Sequence, residues 1–338
     1  MSSQTGLSSV DELPDPKGIG PVLAGHPLSG RRRLGDRLFG GAARGAGLVV
    51  IALVTLIAVF LMSQAIPALA RDKVNFLTST QWNVDGTPLQ FGIANLLWVT
   101  VLSSAIAMVI AIPFGVGVAL FITQYAPRWL SRPAATLVDL LAAVPSIVYG
   151  LWGLQVLGPH MHVLQTVLLK LFGWLPLFKD TGVDAGSTIL IVAVVLSIMV
   201  LPIVTALSRE VFAQTPTSHK DAALALGATR WEMIRTAVLP FGKPGVISAS
   251  MLGLGRALGE TIAVTIILST LADGSDWSWS IFNGGETFAS KIANNAAEFD
   301  SPQKAGAFLA AGLVLFLLTF VVNAIARIVI ERRKEFSE

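Results

Sequence analysis

Arg256 and Glu260 are the residues whose type and place most suggest chemistry. They stand in the run Gly-Leu-Gly-Arg-Ala-Leu-Gly-Glu-Thr, inside a stretch otherwise apolar enough to lie in lipid. Four residues apart, they share one face of a continuous helix. An unpaired charge at mid-bilayer costs at least ~3 kcal/mol on insertion scales, so an ionisable pair there marks a transport pathway more often than a structural tie. A resting arginine–glutamate pair can open for an anion. The planar guanidinium fork suits phosphate or carboxylate, to which it donates two parallel hydrogen bonds. In a second apolar segment Ser146 can supply a hydroxyl beside Pro145, whose ring removes a backbone donor and frees a carbonyl. On physics alone a simple proline kink is the plainer reading of that second site. Asp139, near one end of the same segment, fits a snorkelling or capping role as well as a pathway role.

A different kind of site lies in the polar stretch from Asp221 to Pro240. Ser218 with Asp221, and Thr229 with Glu232, both fit the capping-box pattern of a hydroxyl answered by an acid three residues later. The spacing predicts two short helices. Gly227 supplies the left-handed turn between them, and Pro240 closes the second. Ala222, Ala223, Ala225 and Gly227 keep the surface of this stretch small, fit for close docking into a partner's groove. The bland alternative is a solvated loop.

The elements that position these residues follow from composition. The chain has 338 residues, 53% hydrophobic and only 13% charged, which excludes an ordinary soluble domain. It has no cysteine, so disulfides and thiolate metal sites are excluded. Its basic residues fall in the gaps between apolar runs, which reads as membrane topology and not as nucleic-acid binding. A bilayer-spanning helix needs ~20 apolar residues. Six segments qualify, at about 46–66, 93–125, 134–157, 187–208, 246–271 and 306–326. The second is one long helix bent at Pro113. Residues 163–178 read as an interfacial or partly re-entrant helix, because Lys170, Gly173 and Pro176 interrupt them.

With six spans, seventeen of the 24 Lys and Arg fall on one side and six on the other, leaving Arg256 in between. Both termini and the 209–245 loop are therefore expected in the cytoplasm. Ala68-Leu69-Ala70 resembles a signal-peptidase site, but the apolar run before it is longer than a signal peptide's and reads as a span. The expected organisation is a disordered cytoplasmic tail over residues 1–45, a transmembrane domain over 46–330 and a cytoplasmic tail over 331–338.

The loop's spacing resembles that of ABC-importer permeases. The family pattern is Glu-Ala-Ala, three residues, glycine, nine residues, Ile-x-Leu-Pro. Here Asp221-Ala222-Ala223 is followed by Gly227 and then by Ala237-Val238-Leu239-Pro240, with Asp in place of Glu and Ala237 in place of Ile. The runs Val144-Pro145-Ser146-Ile147-Val148-Tyr149-Gly150-Leu151-Trp152-Gly153 and Gly255-Arg256-Ala257-Leu258-Gly259-Glu260-Thr261 resemble the phosphate-specific members, the PstC type rather than its PstA-type partner. The likeness covers roughly residues 46–330.

It implies a type I ABC importer permease fold, all-α and integral to the membrane with six transmembrane helices, in the cytoplasmic membrane. The resemblance also implies a phosphate pathway through Arg256, Glu260, Thr261 and Ser146. Asp221, Ala222, Ala223 and Gly227 would couple the chain to an ATPase. The implied partners are a second, PstA-type permease, two ATP-binding subunits and an extracytoplasmic phosphate-binding protein. The chain has no Gly-x-x-x-x-Gly-Lys-Ser/Thr phosphate loop, so it is expected not to be an enzyme and to bind no cofactor, with ATP and Mg²⁺ used by the partner ATPase. The rival readings are a permease for another oxyanion or solute, an ion-coupled carrier using Arg256 and Glu260 as a relay, and a membrane sensor of phosphate status.

Overall fold

Residues 34–86, 88–271 and 277–334 are described by a computed structural model. The chain divides into two units, one ending at Thr55 and the other starting at Leu56. What is described of the first is the opening stretch of helix α1 (Leu34–Leu69), whose Leu38, Ile51 and Leu53 are exposed, as on a lipid-facing span. The helix begins at Leu34, so the expected disordered tail does not reach residue 45. Residues 34–45 carry no hydrophobic period. Once the apolar run has nucleated a helix, however, each further residue adds a backbone bond without a new nucleation cost. The rest of that tail, residues 1–33, lies outside the described residues, as do residues 335–338 of the C-terminal one.

In the second unit α1 ends and a two-residue hairpin follows, β1 (Trp82–Asn83) antiparallel to β2 (Gln90–Phe91). Then come α2 (Ala94–Leu120), α3 (Arg128–Ala142), α4 (Ser146–Trp152), α5 (Met161–Phe172) and α6 (Ile189–Ala213). The chain continues with α7 (Thr217–Ala225), α8 (Arg230–Met233), α9 (Leu239–Leu258), α10 (Ile262–Ile267), α11 (Phe288–Asn294) and α12 (Pro302–Lys334). Among the described residues five helices are long and apolar enough to cross a bilayer, or six if α3 and the arm Ser146–Phe172 together make one span. Those two meet at 91°. The third expected segment is therefore a sharply bent element, not a simple kink. Its second arm runs on through α5, much of what the sequence suggests as a separate interfacial helix. The second expected span stays one helix through Pro113, and its irregular turn falls later, at Phe121–Tyr125.

The helix that is apolar on every side takes the centre. α6 buries Ile191, Val195, Leu196, Met199, Val200 and Val204 almost completely, which requires neighbours all round it. α2 meets it with a stripe at helical spacing, Val99, Ser103, Ala107 and Ala111. α9 approaches through Gly253, where an added Cβ would stand 2.6 Å from Val200 Cγ1. The Gly255 and Gly259 step, which also reads as a close-packing motif, makes no such contact within this chain: a Cβ at Gly255 meets nothing within 4 Å. Gly253→Ala is therefore expected to destabilise the subunit by about 1–3 kcal/mol through overpacking, whereas Gly255→Ala is tolerated. Thermal melting of the two variants in detergent checks this, with a lowered midpoint for the first alone.

At the hairpin end, Phe91 and Phe308 are fully buried with Ala65 and Ala68, and Trp82 packs on Phe308 at 5.3 Å between ring centroids. Beside them runs a segment with no helical or strand period, residues 277–287, whose Ser280 and Phe282 are nonetheless fully buried. Backbone bonds hold it: the amides of Ile189 and Leu190 donate to the carbonyls of Asn283 and Ile281, and the amide of Ile281 to the carbonyl of Leu177. Buried peptide groups need such partners, and here the segment finds them in the first turn of α6 and in the turn at Leu177.

Candidate functional site

Two breaks in the bundle build the first site. One separates α3 from α4 at Ala143–Pro145. The other separates α9 from α10 at Gly259–Thr261 and interrupts the fifth expected span, 246–271, which the apolar pattern suggests is continuous. The half-helices beyond the breaks, α4 and α10, lie side by side and run the same way. Gly150 faces Ala263 and Ile266, and Gly153 faces Ile267. Gly150 makes this possible, since a Cβ there would stand 2.9 Å from the Ala263 Cα. Ser146 opens α4, half-buried, and Thr261 sits at the N-terminal cap of α10, its hydroxyl donating to the Gly259 carbonyl at 3.2 Å.

The expected Arg256–Glu260 ion pair is not formed. The ion pairs among the described residues include Asp139–Arg209, Glu286–Lys291 and those of Lys304 with Asp85 and Asp300, and none joins Arg256 to Glu260. The reason is geometric: the four-residue spacing brings two side chains together only on an unbroken helix, and α9 stops at Leu258. Glu260 instead turns to the start of α10, where its Oε1 accepts the Ala263 amide at 3.1 Å. A carboxylate is favoured there because the first amides of a helix lack partners and carry partial positive charge. Glu260 is 8% exposed. Arg256 is half-buried, and its Nε finds no acceptor among the described residues. The guanidinium thus stands free of its expected partner at a break in a span, while the acid is held by backbone. Glu260→Gln keeps an oxygen for the Ala263 amide, and Glu260→Ala does not. The alanine variant is expected to lose ~1 kcal/mol of local stability as at other N-caps, and to be inserted less well. Quantifying inserted protein checks this; equal loss in both variants would mean that the charge matters and not the cap.

Asp139 is bound in both oxygens by Arg209 Nη2 at 3.1 Å, which ties α3 to the end of α6. That is a structural role at the α7 end of the bundle.

The second site is the α7–α8 corner. Of its two expected capping boxes one is present: Thr229 and Glu232 exchange both bonds, at 2.8 and 3.3 Å. The other is absent, because α7 already starts at Thr217 after Pro216 and Ser218 lies inside it. Gly227 has φ +84°. Around it the Gly227 amide donates to Leu224 and the Ala228 amide to Ala223, the double bond of a Schellman turn. Ala223 packs toward the buried cluster of Phe212, Met233 and Ile234, whereas Asp221 and Ala222 face outward. Two outward apolar residues have no sequence signal of their own: Leu226 is 90% exposed and Trp231 56%.

Pro240 does not end the second helix. A π-turn at Ile234–Val238 precedes it, with the Leu239 amide bonded to the Ile234 carbonyl, and the proline falls in the first turn of α9 where no amide is needed. The result is one helical lever from Arg230 to Leu258. Its near end is clamped by buried Met233, Ile234 and Val238, and its far end stops one residue short of Gly259.

Comparison with known proteins bears on both sites. Residues 111–335 match the family described as "Binding-protein-dependent transport system inner membrane component". A Mycobacterium tuberculosis protein, "Phosphate transport system permease protein PstC 2", is 53% identical over 91% of this chain and 95% of its own length. "Phosphate transport system permease protein PstC" of Mesorhizobium japonicum is 38% identical over 89% and 92%. Among solved structures, a chain of "a bacterial ABC transporter involved in the import of the acidic polysaccharide alginate" superposes with a TM-score of 0.55 at 17% identity, covering 88% of this chain and 99% of that one. This last likeness concerns the fold alone.

Proposed function

This chain belongs to the PstC phosphate-permease group of the binding-protein-dependent inner-membrane transport components, and from that premise we propose that it is the permease subunit through which an ATP-driven importer moves inorganic phosphate into the cell. The observation that carries the proposal is mechanical: one helix joins the exposed α7–α8 corner to a broken span where Arg256 has no acidic partner among the described residues. Arg256 neutralises and binds the anion. Glu260 and Thr261 hold the break at which it does so, and Ser146 lines the facing half-helix. Asp221, Ala222, Ala223 and Gly227 form the docking corner for a partner ATPase, with Leu226 and Trp231 as added apolar contacts.

Positive charge stays on the cytoplasmic side, so both termini and the 209–245 loop lie in the cytoplasm and the hairpin faces outward. The partners are a PstA-type permease, two ATP-binding subunits that use ATP and Mg²⁺, and an extracytoplasmic phosphate-binding protein. Closure of the ATPases pushes α7, and the lever carries that displacement to the Gly259 break. An ion-coupled carrier relying on an Arg256–Glu260 relay is disfavoured, since the two are not joined and the docking corner would have no use. Expression of the chain with these partners in cells lacking their own phosphate uptake tests the reading. Phosphate accumulation that requires both this chain and ATP is expected, and sulfate or molybdate accumulation in its place would overturn the substrate assignment.

A further inference from the structure

The break between α3 and α4 has a chemical cause and, at Tyr149, a chemical repair. Pro145 has no amide hydrogen, so the Leu141 carbonyl loses the donor that a continuous helix would supply four residues on. It accepts two others instead, the Val144 amide at 3.3 Å and the Tyr149 hydroxyl at 2.9 Å. The second bond crosses the break, since Leu141 is in α3 and Tyr149 in α4. Tyr149 is 9% exposed and packs in the same core as Ala257, Val264 and Ile267 of the fifth span. Arg256 lies within electrostatic reach of its hydroxyl. One residue further on, Gly150 seats α4 on Ala263, the residue whose amide Glu260 holds. The two breaks are therefore tied to each other through Tyr149, Gly150, Ala263 and Glu260.

We propose that Tyr149 is a positioning residue, a latch whose hydroxyl stands in for the missing proline amide, sets the angle between α3 and α4, and so holds the half-helix that faces the Arg256 site. This rests on the phosphate-permease reading for its consequence, but the hinge itself is measurable without it. The latch acts on one conformational equilibrium. Removing the hydroxyl withdraws one hydrogen bond from the bent state, which shifts that equilibrium by roughly 2- to 13-fold.

The chain has no cysteine, so a pair introduced at Leu137 and Val163, both exposed and on opposite arms of the bend, carries its only spin labels, and the partner subunits are used in cysteine-free form. Distances between them are measured in the assembled importer in lipid nanodiscs. Tyr149→Phe is expected to move population from the bent distance to a second one. Pro145→Ala restores an amide at position 145, which can serve the Leu141 carbonyl in the hydroxyl's place. In that background Tyr149→Phe is expected to change the populations less than twofold. A Tyr149→Phe effect of the same size in both backgrounds, including no effect in either, overturns the latch. In uptake assays Tyr149→Phe is expected to lower the maximal rate severalfold with KM held within twofold, because Arg256 is untouched. A KM rise without any change in the distances would mean that Tyr149 touches the substrate, and would also overturn the proposal. If the importer moves no phosphate at all, the functional reading fails while the distance measurement still decides the latch.

Discussion

Replacing Arg256 with alanine is expected to reduce phosphate uptake, per molecule of inserted protein, by about 100-fold or more. Phosphate at neutral pH carries between one and two negative charges, and moving such an anion into a low-dielectric passage without a counter-charge is prohibitive. Arg256 is the only Lys or Arg that falls within the six apolar segments expected from the sequence. A charge at mid-bilayer is worth at least ~3 kcal/mol on insertion scales, and each ~1.4 kcal/mol is a factor of ten. The structure strengthens the expectation. Since Glu260 is turned to the Ala263 amide, the guanidinium does not have to release that carboxylate before it takes the substrate. Arg256→Lys should recover only part of the loss, because an ammonium keeps the charge but lacks the planar fork that grips two oxygens at once. The measurement is radiolabelled phosphate uptake normalised to membrane-inserted subunit, with assembly of the ATPase followed in parallel. Full normalised uptake by Arg256→Ala would remove it from the pathway.

Hydropathy alone places most of the bundle, because span length and apolarity are local properties. The Gly227 turn and the Thr229–Glu232 box are equally local and appear as expected. What escapes is whatever depends on where a helix stops. Nothing between Leu258 and Ile262 signals a break: Gly259 alone is tolerated inside a helix at a cost of ~1 kcal/mol, and the apolar period runs on through α10. Arg256 and Glu260 therefore read as partners on one face, and only the break separates them. Pro240 fails in the opposite direction. It signals a stop, but the π-turn ahead of it shifts the hydrogen-bond register so that the helix continues. The 277–287 segment is invisible for a third reason. Its burial rests on backbone bonds to the start of α6 and to Leu177, more than 80 residues away in sequence, and such bonds leave no periodic trace.

Gly227→Val should uncouple transport without removing the protein from the membrane. At φ +84° an L-residue pays roughly 1–2 kcal/mol, and a β-branched one suffers more. The Schellman bonds from Gly227 to Leu224 and from Ala228 to Ala223 would then give way. α7 would lose the angle at which Asp221 and Ala222 face outward, while the buried anchors Met233, Ile234 and Val238 stay in place. Space is not the obstacle, since a Cβ at Gly227 meets nothing within 4 Å. Conformation alone is at issue, and this supplies a control: Gly227→Asn should retain most activity, because asparagine tolerates the left-handed region. Asp221→Lys attacks the same docking face by charge, leaving the turn intact. Both Gly227→Val and Asp221→Lys are expected to lower ATPase co-purification and to cut substrate-stimulated hydrolysis about tenfold, the equivalent of ~1.4 kcal/mol in docking. Phosphate uptake should fall in proportion, with subunit abundance unchanged. Normal stimulation in Gly227→Val alongside a well-folded protein would show that the α7–α8 corner is not where the ATPase pushes, and the lever from Arg230 to Leu258 would then have no input.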